Sequence, residues 1–173
     1  VYVVGHGVVY FSGMKNGLGW VTFLNTVVGK GITGSGPAEL NQWWEHIGEA
    51  KMKRTKMRPI PLGLVSPRNA LLFGSALSIV GFAELWLGVN ALTGILGGLT
   101  LGAYLFIYTP MKQRSPHSTT IGAIPGAMPP LIGFAAASGT LTLEAWVLFG
   151  ILFLWQFPHF YSIAWMYRDD YAR

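Results

Sequence analysis

Residues 69–108, NALLFGSALSIVGFAELWLGVNALTGILGGLTLGAYLFIY, decide the fold. They are two mainly apolar runs, 69–89 and 91–108, joined by a short turn near Asn90. About 20 such residues are enough for a helix to cross the hydrocarbon core of a bilayer. The pair therefore predicts a transmembrane helical hairpin. Downstream, 109–118 (TPMKQRSPHS) is a polar loop and 119–138 is apolar again, with Pro125, Pro129 and Pro130 inside it. Residues 145–167 make a last span that ends in YRDDYAR. Upstream, 42–68 breaks the apolar pattern. Residues 20–44 are the least apolar candidate span, because Lys30 lies inside it; a buried lysine must snorkel, pair or face a cavity. Residues 12–19 read as a turn. Residues 1–11 (VYVVGHGVVYF) are too short to span and read as the end of a helix that starts upstream. They show neither the basic start nor the Ala-x-Ala site of a signal peptide, and the chain is expected to be a piece of a longer protein, truncated at both ends.

Composition agrees. Only 11% of residues are charged, against about 25% in ordinary soluble domains. Gly, Pro and aromatic residues are plentiful, as transmembrane helices and their interfaces allow. With no cysteine, disulfides, thiolate chemistry and zinc–thiolate sites are excluded. The net charge of +5 does not point to nucleic acid, because the basic residues fill short gaps between apolar spans. Lys51, Lys53, Arg54, Lys56, Arg58 and Arg68 fall in 42–68, Lys112 and Arg114 in 109–118, and Arg168 and Arg173 at the end. The opposite turns hold Lys15, no charge near Asn90, and Glu144. Lys and Arg gather on the cytoplasmic side of a membrane, so hairpins 69–108 and 119–167 return every basic segment to one side. The fold class is all-α: a single polytopic transmembrane helical bundle over 1–173, with 42–68 and 109–118 as cytoplasmic-side substrate-binding loops.

The chemistry is expected where acid meets base. Asn41, Glu45 and Glu49 follow an i, i+4, i+8 pattern, which places them on one helix face about 6 Å apart. Two carboxylates and an amide oxygen form a hard-oxygen surface suited to Mg²⁺ carrying substrate phosphates. The cations just after them, Lys51 to Arg58, are the usual partners of phosphate oxygens. The alternative is an interfacial helix whose charges only set topology. A second cluster closes the last span, WQFPHFYSIAWMYRDDY. His159 sits inside it, and an intramembrane histidine is a functional candidate or a hydrogen-bonded core residue. Arg168, Asp169 and Asp170 end it, as a second metal site or an interfacial ion pair. Aromatic residues, among them Trp43, Trp44, Tyr104, Tyr108, Trp155, Phe160, Tyr161 and Trp165, could stabilise a carbocation or form an interfacial belt.

Three segments carry a family resemblance: NQWWEHIGEAKMKRTKMRPIP (41–61), YTPMKQRSPHSTTIGAIPGAMPPLIG (108–133) and WQFPHFYSIAWMYRDDY (155–171). With GLVSP at 63–67, the chain resembles the protohaem IX farnesyltransferases (haem O synthases), a branch of the UbiA-type intramembrane prenyltransferases. The first segment matches their Asn-x-x-x-Glu/Asp-x-x-x-Asp and Met-x-Arg-Thr-x-x-Arg-Pro patterns, with Glu49 where Asp is usual. The resemblance implies a bundle of nine spans around a central cavity open toward lipid, of which about six are present. It implies transfer of the farnesyl group of farnesyl diphosphate to a vinyl group of protohaem IX, giving haem O for haem A synthase or terminal oxidase assembly. In that scheme Asn41, Glu45 and Glu49 hold Mg²⁺ on the diphosphate. Arg54, Arg58, Lys112 and Arg114 neutralise the leaving group. Lys53, Tyr161 and Arg168 are further substrate-binding candidates, Asp169 and Asp170 a second metal site, and His159 the residue that positions haem. The implied location is a bacterial plasma membrane or the mitochondrial inner membrane, with the site facing cytoplasm or matrix. The competing readings are a quinone-precursor prenyltransferase and, from another class, a transporter or structural membrane subunit.

Overall fold

A computed structural model of the chain describes residues 19–50, 52, 55–112 and 117–168. The apolar runs fold as helices: α1 Trp20–Glu49, α2 Pro67–Leu87, α3 Ala91–Met111, α4 Ser118–Ala127, α5 Pro129–Ser138 and α6 Leu143–Met166. α4 and α5 together make one span, bent at Met128 where Pro129 opens the second piece. Among the described residues, four spans are long and apolar enough to cross a membrane: α2, α3, α4–α5 and α6. Residues 1–11, read as part of a span, lie outside the described residues. α1 is about 45 Å long at 1.5 Å per residue, but it carries Lys30, Glu39, Glu45 and Glu49 and is not among those four. It also runs further than the sequence suggests. The break in apolarity at residue 42 is not a break in the helix, and 42–49 belong to its last two turns. Similarly, Thr109–Met111 are still helical.

Local sequence sets the ends. The Ser66 hydroxyl accepts the Asn69 amide at 3.2 Å and Pro67 occupies the first helical position of α2, where a missing N–H costs nothing. Asn90 organises the α2–α3 turn. Its Oδ1 accepts the Thr93 amide and hydroxyl, both at 2.9 Å, and its Nδ2 donates to the Ala135 carbonyl at 2.8 Å. One side chain thus caps α3 and ties it to the end of α5. Gly139 ends α5 in the left-handed region, φ 68°, which glycine enters without a Cβ penalty.

α1 and α2 pack most extensively. The buried residues of α2 are Ala70, Gly74, Ser78, Gly81 and Leu85, a stripe of mainly small side chains. They meet Gly29, Thr33 and Gly36 of α1; a Cβ on Gly81 would come within 2.5 Å of the Thr33 nitrogen. Small residues let helix backbones approach closely where lipid supplies no hydrophobic drive. The core centres on α5, whose Leu131, Ile132, Phe134 and Ala135 pack with Leu96, Met128 and Ala145. The outer faces of α2 and α6 expose Leu72, Ile79, Leu87, Val147, Ile151 and Leu154, as a lipid-facing or helix-facing surface would.

The last third of α3 is irregular. Ala103–Tyr108 form a π-helical stretch just before Pro110, which has no N–H to donate. The Thr109 amide bonds the Tyr104 carbonyl five residues back, and the Thr109 hydroxyl lies 2.9 Å from the same oxygen. The widened turn sets the direction of Thr109 and of the tyrosines at 104 and 108.

Candidate active site

The row at 41, 45 and 49 is one buried face of α1, with Asn41 8%, Glu45 7% and Glu49 5% exposed. Asn41 Nδ2 donates to Glu45 Oε2 at 3.1 Å. Lys112, just past α3, donates to the same oxygen at 3.0 Å. The Thr109 hydroxyl stands 3.2 Å from Asn41 Oδ1. Glu49 pairs with Arg58 through Oε1 and Nη1. Arg58 comes back to the helix through turns at 55–58, where the Thr55 and Lys56 amides donate to the Met52 carbonyl and the Arg58 amide to the Thr55 carbonyl. Thr55 fixes them, its hydroxyl donating to the Glu49 carbonyl at 2.9 Å.

Each carboxylate therefore has its own partly exposed cation, Lys112 for Glu45 and Arg58 for Glu49. A buried carboxylate without a counter-charge would cost several kcal/mol. Among the described residues, no three His, Asp or Glu side chains form a metal-holding group. Two carboxylates and an amide oxygen still fit a magnesium ion that takes its other oxygens from phosphate and water.

Beside this cluster is a cavity of about 630 Å³, walled by α1, α3, α4 and α6. Its α1 wall runs from Val27 to Ala38, so it ends one turn short of Asn41. Tyr104, Tyr108 and Phe160 form an aromatic side: the tyrosine rings lie 5.3 Å apart, and Phe160 lies 6.4 Å from Tyr108. Lys30 also lines the cavity. It does not pair with Glu39. The two are nine residues apart, on opposite faces of the helix, and Glu39 lines an adjoining groove with Phe73 and Leu77.

The structure thus brings together Asn41, Glu45, Glu49, Arg58 and Lys112. It does not bring His159 and Tyr161 to them. Tyr161 is 62% exposed, and His159, on the outer face of α6, stacks on Trp155 with ring centres 4.7 Å apart. Phe160, between them, is the residue of that turn that enters the cavity. Arg168 lies over the Trp165 ring at 4.9 Å. Lys53, Arg54, Arg114, Asp169 and Asp170 lie outside the described residues. Of the three outcomes open to Lys30, the structure shows the cavity; sequence reading missed the roles of Thr109 and Thr55 and the buried Gln156, which packs against Gly126. A threonine directly before Pro110 was the one available signal for Thr109.

Membrane-spanning helices around an aromatic-walled cavity, with an acid row and cations at its end, suit transfer of a prenyl group within a membrane. The sequence matches the UbiA prenyltransferase family over residues 3–173, and the chain belongs to that family. It is 60% identical to the protoheme IX farnesyltransferase of Solibacter usitatus, over 96% of this chain and 60% of that protein. It is 45% identical to that of Koribacter versatilis, over 94% of this chain and 53% of the other. To the human mitochondrial protoheme IX farnesyltransferase it is 44% identical, over 89% of this chain and 35% of the human protein. The chain spans roughly half the length of such relatives. No solved structure matches it significantly.

Proposed function

We propose that this chain carries the donor site and part of the acceptor cavity of a protohaem IX farnesyltransferase. The reaction joins C1 of farnesyl diphosphate to a vinyl carbon of protohaem IX. The allylic C–O bond breaks, diphosphate leaves, and water adds to the resulting cation with loss of a proton, giving haem O. The observation that carries this reading is the juxtaposition of Glu45, Glu49, Arg58 and Lys112 with the end of an aromatic-walled cavity. Relatives bearing that activity in their names support it.

Glu45 and Glu49, with the amide oxygen of Asn41, would hold Mg²⁺, which offsets the charge building on the departing diphosphate. Arg58 and Lys112, held beside the carboxylates by their ion pairs, would bind phosphate oxygens and stabilise that charge as it develops. Thr109 holds Asn41 in place. Tyr104, Tyr108 and Phe160 line the cavity where an allylic cation would form; a ring face beside that cation would stabilise it, and the bulk of the rings would exclude water. The site lies on the side of the basic loops, which the positive-inside bias puts in the cytoplasm or matrix.

The test uses membranes containing the full-length parent protein. They are incubated with protohaem, Mg²⁺ and farnesyl diphosphate, and the haem pool is analysed by mass. The proposal expects haem O and release of diphosphate. Prenylated 4-hydroxybenzoate with no haem O would instead identify a quinone-precursor enzyme.

A further inference from the structure

Lys30 is not used by the donor chemistry. It is 5% exposed, it lines the cavity, and its ammonium forms neither an ion pair nor a hydrogen bond among the described residues. No carboxylate of its own helix neutralises it: Glu39 faces the other side of the helix, and the nearby Thr33 and Ser35 hydroxyls, which donate to the carbonyls of Gly29 and Gly31 at 2.6 and 2.9 Å, carry no charge. A bound anion would stabilise an ammonium held this way in a mainly apolar cavity.

The donor diphosphate is not that anion. Lys30 lies eleven residues before Asn41, about 16 Å away along the helix at 1.5 Å per residue, so one diphosphate cannot reach both. The anion must belong to the second substrate, at the end of the cavity remote from Glu45 and Glu49. Protohaem has this shape: its vinyl groups lie on one side of a rigid macrocycle and its two propionates on the other. A vinyl carbon near the donor site would direct a propionate along α1 toward Lys30.

We propose that Lys30 binds an acceptor carboxylate and thereby orients the macrocycle with its vinyl edge toward the donor site. This rests on the reading of the acceptor as protohaem. Lys30 is a positioning residue that touches the carboxylate and not the reacting carbons.

The experiment measures equilibrium binding of protoporphyrin IX and of its dimethyl ester, by fluorescence, to the purified full-length parent and to K30M and K30R. KM for protohaem and for farnesyl diphosphate is measured in parallel. Losing one charge-assisted contact in a buried site should weaken binding of the diacid about tenfold or more in K30M. The diester should bind the parent and K30M equally, KM for farnesyl diphosphate should not move, and K30R should recover most of the diacid affinity. Equal weakening of diacid and diester, or no change in either, would overturn the proposal. So would a rise in KM for farnesyl diphosphate, which would put Lys30 on the donor. A parent that prefers the diacid through Lys30 but makes no haem O would support the subsite and refute the reaction. Haem O formation with unaltered diacid binding in K30M would do the reverse.

Discussion

At the residue scale, the site depends on oxygen atoms that each answer to a named partner. Glu45→Gln keeps the shape and the Asn41 contact but removes the charge that pairs with Lys112. Its effect should fall on the chemical step, with kcat for haem O formation down about 10²- to 10³-fold, the range seen when one electrostatic contact to a transition state is lost. The protein should insert and unfold as before. If kcat is unchanged, the carboxylate serves topology only. Thr109→Val is a subtler test. It removes the hydroxyl from Asn41 Oδ1, worth about 1 kcal/mol and hence a five- to tenfold loss in kcat/KM. The row itself was readable from spacing, because 41, 45 and 49 recur at nearly one helical turn. Which cation serves which acid was not. Lys112 is 67 residues from Glu45, and only the tertiary path of α3 joins them. His159 is the opposite case: an intramembrane histidine reads as functional or as core by rule, and only the fold shows that it stacks on Trp155 on the outer face of α6, away from the acid row.

At the element scale, two kinds of glycine in one helix pair make opposite predictions. Gly81 lies where α2 touches the α1 backbone at Thr33, and Gly34 faces the cavity with nothing within 4 Å of its would-be Cβ. Gly81→Val must push the helices apart. It should destabilise the protein by about 1–3 kcal/mol, read as earlier thermal unfolding in detergent. Gly34→Leu should leave unfolding alone and narrow the cavity, raising KM for the acceptor. A matching loss of stability in both variants would mean that the two glycines share one structural role. Composition announces many glycines but not which of them face a partner helix, since that depends on how α1 and α2 are rotated. Hydropathy and spacing mark the end of α1 differently. Apolarity stops at residue 42 while the helix continues to Glu49, because buried Asn41, Glu45 and Glu49 find partners on α3 and in the following turns. The π-helical stretch at Ala103–Tyr108 was equally hidden; only Pro110 hinted at it.

At the scale of the whole molecule, hydropathy and charge bias gave the same topology independently, and the packing of the helices is consistent with both. The Asn90 side chain reaches Ala135, so the α2–α3 turn sits beside the end of α5. At the other end, Lys112 and Arg58 meet the last turns of α1. The two groups of connections therefore lie at opposite ends of the bundle. Hydropathy could place this axis across a membrane but could not say which end faces which compartment; our proposal that the acid-row end faces the cytoplasm or matrix rests on the excess of Lys and Arg in 42–68 and 109–118. These 173 residues contain no cysteine, so one introduced thiol reports cleanly on its surroundings. Met57, 68% exposed in the basic connection, and Thr140, exposed between α5 and α6, are suitable positions. In right-side-out vesicles of a bacterial host, a membrane-impermeant maleimide should label Thr140→Cys and spare Met57→Cys; in inverted vesicles the pattern should reverse. Labelling of both from one side would break the hairpin topology. An inverted pattern would keep the hairpins but place the diphosphate site on the side from which a cytoplasmic donor could not reach it.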